Sequence, residues 1–362
     1  MKRRINWLIL PLTILLSACQ LFLGPEPDTD PSEILKSLWN DFNNIHANLD
    51  FRMSSNTNTT YSSWYDVYHN EKNGYALKVS SVTSEAALFS LCGKMLQELN
   101  DPHVALYAPG GKSISSSTDA NREDFDISIV REKLIGKGDA MYKNFVYGTF
   151  KDYSDIGYIY IEKFMDDDPD TKSQEWGRAI DKIVNSLANT KALVLDVRNN
   201  RGGDIYVMEY IAAYFASVKK DYIKARVKTG PGANDLSAPI IYTLKSVKIA
   251  SNNAKGYTKP IVLLTNKNTV SAAEWFTMAL RTQPHIIHAG KTTCGAFSAR
   301  NDRFMMNGWF YSISPERVTD MNDKTYEGNN KGITPEEIFE KSEDQLNFAV
   351  EYLAKNIAEG KQ

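Results

Sequence analysis

Two apolar runs set the terms for this chain. Ala192-Leu193-Val194-Leu195-Asp196-Val197 and Ile261-Val262-Leu263-Leu264 are too short for buried helices and read as strands covered on both faces. Each ends in a polar turn, and helical patterns begin behind the turns, at 205–216 and 271–281. Strand-like runs at 125–130, 145–150 and 156–161 and a helical stretch at 176–187 precede them. Apolar strands alternating with helices require a mostly covered sheet, an α/β core.

The flanks are helical. Asp30-Pro31-Ser32-Glu33 supplies an N-cap, a proline at N1 and a glutamate at N3 for a first amphipathic helix. A second helix is expected over 84–99, stopped by Asn100-Asp101-Pro102, with 54–63 as a polar loop between them. A hairpin broken by Asn307-Gly308 is expected over 304–312, and Ser342 with Gln345 at N3 opens a last helix.

The start of the chain reads as an export signal. Met1-Lys2-Arg3-Arg4 is basic, 5–16 is apolar, and Ser17-Ala18-Cys19 is small, while the apolar part is too short to span a bilayer. Leu16-Ser17-Ala18-Cys19 resembles a bacterial lipoprotein box, which implies lipidation of Cys19. Gln20 replaces the aspartate that retains such proteins at the inner membrane, and so favours the outer one. Without 1–18 the chain has 39 basic against 44 acidic side chains, a net charge of -5, which gives no reason to expect nucleic-acid binding. Cys92 and Cys294 then remain, in apolar or small-residue settings that read as buried free thiols.

Asp196-Val197-Arg198-Asn199-Asn200-Arg201-Gly202-Gly203 follows one strand. A Gly-Gly turn there is either a simple bend or a close backbone approach whose amides face an oxyanion. Thr269-Val270-Ser271-Ala272-Ala273-Glu274 follows the other. Ser271 is either a helix cap or a nucleophile beside unpaired amides, with Thr269 then free to cap. Parallel strands would put both turns at one end of the sheet. The nucleophile needs a base, and His103, just past a helix end, differs from His46, His69, His285 and His288 in sitting in a loop fixed by a rigid element. No H-E-x-x-H occurs, so no metal site and no cofactor are read.

These pieces, in this order, resemble the carboxy-terminal processing (tail-specific, S41) family of serine peptidases. They are LNDPH (99–103), IGYIYIEKF (156–164), LVLDVRNNRGG (193–203), PIVLLTNKNTVSAAEWF (260–276), GKTTCG (290–295), KGITP (331–335) and DQLNFAVEYL (344–353). The resemblance implies a crotonase-like (ClpP/crotonase) spiral core with an N-terminal helical domain. It implies Ser271 as nucleophile, with the amide of Ala272 and that of Gly202 or Gly203 as oxyanion hole. Two departures direct the choice of base. Where many members carry a lysine, this chain has Ala296; His103 matches the histidine of the tricorn-core branch, which includes the retinoid-binding repeats. Pro102 cannot supply that branch's serine, and Glu327 matches its glutamate, placed to orient His103 directly or through water. With His103 as base, the rate is expected to rise through a titration near neutrality.

The expected organisation is a lipoprotein signal (1–18), a tether (19–30), a helical domain ending in the His103 loop (31–109), a linker with short strands and no full PDZ domain (110–150), the catalytic core (151–340) and a C-terminal helix (341–362). The expected function is a serine endopeptidase of the bacterial cell envelope acting on peptides or unfolded proteins. Its rival is an inactive protein of the same fold that binds a peptide or an apolar ligand.

Overall fold

The computed structural model describes residues 30–81, 83–117, 123–136, 144–165, 175–247 and 256–360. The export segment, Cys19 and the tether up to residue 29 lie outside the described residues. The Asp30 carboxylate accepts the Ser32 N–H at 2.8 Å and opens α1 (Pro31–Ile45). Helices α2 (Leu49–Ser55), α3 (Trp64–His69) and α4 (Glu85–Gln97) follow, with a 3-10 turn at Tyr75–Lys78. They close over buried Leu35, Leu38, Phe42, Met95 and Leu96. Helix α2 begins before, and runs into, the stretch expected as a loop.

The chain continues through β1 (Ala105–Ala108), β2 (Lys112–Ser115), α5 (Ile127–Glu132), β3 (Leu134–Ile135), β4 (Phe145–Phe150) and β5 (Ile156–Ile161). Next come α6 (Glu175–Ser186), β6 (Ala192–Asp196), α7 (Ile205–Ala213), β7 (Lys220–Val227) and β8 (Ile240–Leu244). Then follow β9 (Ile261–Thr265), α8 (Ala272–Leu280), β10 (Ile286–Gly290), β11 (Asn301–Phe304), β12 (Phe310–Ile313), β13 (Glu316–Thr319), β14 (Glu337–Ile338) and α9 (Ser342–Ala358). The strand expected at 125–130 is instead α5, because Asp126 Oδ1 accepts both the N–H (2.8 Å) and the hydroxyl (2.7 Å) of Ser128 and caps a helical turn.

The central sheet has the order β14-β10-β9-β6-β5-β4-β3. Strands β14, β10, β9, β6 and β5 are parallel, and β4 and β3 run antiparallel at one edge. Alternation sends Leu193, Leu195 and Leu263 toward α6, α7 and α8, and Val194, Val262 and Leu264 toward Leu346, Ala349 and Leu353 of α9. The core is therefore an open mixed sheet covered on both faces. This corrects the expected crotonase-like spiral core: the α/β class holds, but the strands lie in one layered sheet between helices.

Two smaller sheets complete the molecule, in the orders β11-β12-β1-β2 and β13-β7-β8. In the first, Leu106 stands opposite Tyr311, and Trp309, Tyr311 and Ile313 fill the core under α1 and α4. A late hairpin thus finishes the packing of the N-terminal helices. In the central sheet Leu195 pairs with Leu263 and Asp196 with Leu264, so the loops leaving β6 and β9 emerge side by side. Openings at the carboxyl ends of adjacent parallel strands are where open α/β sheets place their ligands.

Candidate active site

The loop after β6 is held by its own polar side chains. Buried Asp196 accepts from Arg198 Nε (2.9 Å), from the Arg198 N–H (3.0 Å) and from the Tyr158 hydroxyl (2.8 Å), which leaves it structural. Asn200 Nδ2 donates to Ile161 O (3.0 Å), and Asn200 Oδ1 accepts the Gly202 N–H (2.8 Å). Gly202 has φ +93°, a backbone that L side chains resist. A Cβ there would lie 2.7 Å from Ser271 Cβ and 2.9 Å from the Ala272 N. The Gly-Gly turn is therefore a close backbone approach to the serine and not a simple bend.

Ser271 occupies the sharp turn from β9 into α8, at φ +60° and ψ -125°. Such a conformation is costly for a serine and persists only when its surroundings hold it. Its N–H lies 3.0 Å from Ala296 O and 3.2 Å from Glu274 Oε2. Thr269 does not cap the helix; its hydroxyl donates to Val197 O (2.9 Å). Buried Glu274 also accepts from the Thr293 hydroxyl (2.7 Å), the Gly295 N–H (2.7 Å) and the Ala296 N–H (2.8 Å). Burial pushes its carboxyl up to about 7, although these donors favour the charged form. One carboxylate thus ties the start of α8 to the loop 293–296.

Ala296 is fully buried and presents no base. Lys291 points elsewhere, with Nζ 3.0 Å from Glu123 Oε2. Cys294 is a free thiol that burial pushes up to about 12. Cys92 is also free and buried.

His103 follows Pro102 in the loop between α4 and β1. Its backbone N–H donates to Asp101 Oδ1 at 2.8 Å, and its Nδ1 is buried with no hydrogen-bond partner among the described residues. Burial lowers its pKa to about 4, helped by Arg52 and opposed by Asp101. This corrects the expected titration near neutrality. Burial alone would raise the Asp101 carboxyl, but Arg52 and His46 hold it well below the usual range. His46 Nδ1 accepts the Asn48 N–H (3.2 Å), which leaves its Nε2–H to donate to Asp101 Oδ2 (3.0 Å).

Glu327 does not reach His103 by a direct hydrogen bond. Its Oε1 accepts from Arg52 Nη2 (2.5 Å) and its Oε2 from the Phe297 N–H (2.8 Å). Of the two expected ways for Glu327 to orient His103, directly or through water, the direct hydrogen bond is not made here: the buried carboxylate pairs with the guanidinium that reaches it.

The oxyanion donors also divide. The Gly202 N–H is spent on Asn200, whereas the Ala272 and Gly203 N–H groups have no acceptor among the described residues. Gly203, at φ +138°, presses on Phe164 O, where a side chain would collide. A cavity of about 330 Å³ opens between Pro102, next to His103, and Val270, next to Ser271, and is edged by Arg201, Lys267 and Asn268. The arrangement sets a strained serine beside the unpaired Ala272 amide, and one cavity is lined by both Val270, next to that serine, and Pro102, next to His103.

Sequence reasoning overlooked Arg52, Asp101, Asn200 and Glu274. Glu274 had a signal, since Ser271 and Glu274 carry the S-x-x-E spacing of a capping box. Arg52 had none, because its partners lie far along the chain.

A crystal structure of a candidate peptidase from Parabacteroides merdae superposes with a TM-score of 0.72, at 23% identity, covering 91% of this chain and 97% of that one. A photosystem II D1 C-terminal processing protease gives a TM-score of 0.52 at 13% identity, over 90% of this chain and 98% of that one. Both matches carry the layered α/β architecture described above. In sequence, the chain is 27% identical over 238 residues to the carboxy-terminal processing protease CtpA of Bacillus subtilis (strain 168). That match takes in 62% of this chain and 45% of the relative, so the chain spans about half of that protein's length. The model of peptidase family S41 matches residues 155–339, which hold both the Gly202–Gly203 turn and Ser271, and the chain belongs to that family.

Proposed function

We propose that this chain is a serine peptidase that cleaves peptides or unfolded proteins through an acyl-enzyme. The observation that carries this reading is Ser271 at φ +60°, with the Gly202 backbone against it and the unpaired Ala272 N–H beside it. Ser271 attacks the peptide carbonyl as His103 takes its proton, and the oxyanion rests on the Ala272 and Gly203 amides. The acyl-enzyme forms as the amine leaves with that proton, and water activated by the same imidazole then releases the acid. Glu327 serves this site through Arg52. In the proposed division, 31–109 brings the base and 151–340 brings the nucleophile.

One observation favours the rival reading, a binding protein on the same fold: no hydrogen bond joins Ser271 Oγ to His103 Nδ1. Such contacts commonly tighten only when substrate closes the site. The deciding experiment is covalent labelling by a fluorophosphonate, read by intact mass. Labelling of the folded protein that disappears in Ser271→Ala supports the peptidase; a folded protein that never labels supports the binder.

The pH dependence separates His103 from other bases. Its imidazole must be neutral to accept a proton, so the labelling rate should rise with pH through about 4 and be level by neutrality. A rise centred above pH 8 would point to a different base.

We also propose export, with a lipid on Cys19 and residence in the outer membrane of a bacterial envelope. Leu16-Ser17-Ala18-Cys19 and Gln20 support this. Metabolic labelling with a fatty acid should mark the native chain and not Cys19→Ala; equal labelling of both would remove the anchor.

A further inference from the structure

Arg52 is a buried cation that takes no part in the proton transfers above. It lies on α2, and its guanidinium touches three acceptors from separate parts of the chain. Its Nε pairs with Asp101 Oδ2 by charge at 3.5 Å, without a hydrogen bond, and its Nη2 donates to Glu327 Oε1 (2.5 Å) and to Gly295 O (2.9 Å). Asp101 and Glu327 hold it charged at any working pH, although burial opposes the charge, so it cannot be a base.

Two short paths leave this one group. Toward the base, Asp101 Oδ1 holds the His103 backbone N–H at 2.8 Å, while Asp101 Oδ2 is fixed by His46 (3.0 Å) and the Ser314 hydroxyl (2.9 Å). Toward the nucleophile, Gly295 is followed by Ala296, whose carbonyl accepts the Ser271 N–H at 3.0 Å. Glu327 adds a parallel tie, through the Phe297 N–H at 2.8 Å. Serine and imidazole come from loops that share no element, and their spacing is what catalysis needs most.

We propose that Arg52 is a positioning residue that fixes the His103 loop against the Ser271 loop. The inference rests on the peptidase reading. The planar guanidinium serves Glu327 and Gly295 in fixed directions while its charge holds Asp101, which a lysine ammonium on a flexible stem does poorly. A displacement of about 1 Å between reacting groups costs on the order of 10²-fold in rate.

The test uses the full chain and a fluorophosphonate, with Arg52→Met and Arg52→Lys beside the wild type. The maximal labelling rate, the half-saturating concentration and the pH profile are measured per folded molecule, with folding followed by thermal unfolding. Arg52→Met should lower the maximal rate about 10²-fold and leave the half-saturating concentration within about threefold. Its rising limb should move to higher pH. The charged groups facing His103 are Asp101, Arg52, Arg300 and Arg201, and losing one cation while Asp101 stays makes the imidazole easier to protonate. Arg52→Lys should restore the low-pH limb, because the charge returns, but only part of the rate.

A folded Arg52→Met with the wild-type rate and limb would overturn the proposal, as would a loss confined to the unfolded fraction. Removing one member of a buried ion network is strongly destabilising, so where Arg52→Met fails to fold, Arg52→Lys decides, and a wild-type rate in it overturns the proposal. Failure of the peptidase reading is visible separately, as absent labelling of the wild type.

Discussion

Peptide hydrolysis should fall by about 10⁶-fold when Ser271 becomes alanine, because a nucleophile–base pair acts as a unit. Alanine keeps the Cβ that meets the Gly202 backbone and keeps the N–H that joins Ala296 O, so the turn and the fold should survive. His103→Ala should cost nearly as much, and the double variant little more than either single one. The residue of activity, about 10³–10⁴-fold over water, would come from the amides of Ala272 and Gly203. Measured kcat values that multiply in the double variant would mean that the two side chains act in separate steps, and the assigned roles would fail.

Gly202→Ala should also cut turnover, by less, without touching a reacting atom. The new methyl would stand 2.7 Å from Ser271 Cβ and 2.8 Å from Val270 O, at φ +93°. Neither neighbour is the loose end of a flexible side chain, so the loop or the serine must move. The left-handed backbone and the overpacking together should cost about 2–4 kcal/mol of stability. Displacing Ser271 by about 1 Å should remove on the order of 10² in kcat. Denaturant unfolding and turnover on one peptide measure both, and wild-type values in each would mean that the two loops are not in contact in solution.

The strands of the central sheet were legible because runs such as 192–197 and 261–264 carry one message, burial on both faces. The alternation in 125–130 misled, since Phe125, Ile127 and Ile129 also fit a short helix once Asp126 caps it. Strands β7 and β8 escaped notice because Lys220–Val227 mixes charge with apolar residues and packs on a single side. As candidates, Ser271, Gly202, Gly203 and His103 were legible in the sequence by type and place, and Ala272 through the resemblance. The ties between them were not. Arg52 and Glu327 are 275 residues apart, and a long-range ion pair leaves no trace in local spacing. The unavailability of the Gly202 amide was equally hidden, since it depends on which way the Asn200 side chain turns.

The pairing of β1 with β12 has a temporal consequence. As the polypeptide elongates, residue 271 is made well before residues 310–313, and until they exist Ala105, Leu106 and Tyr107 have no partner strand on that side. The Ala47 N–H also waits for Ser314 O, and Arg52 waits for Glu327. A nascent chain can therefore carry its serine long before the last ties around the His103 loop, those from Ser314 and Glu327, exist. On the proposed reading, competence for chemistry waits on residues 310–327, and that delay during synthesis acts as a safety catch.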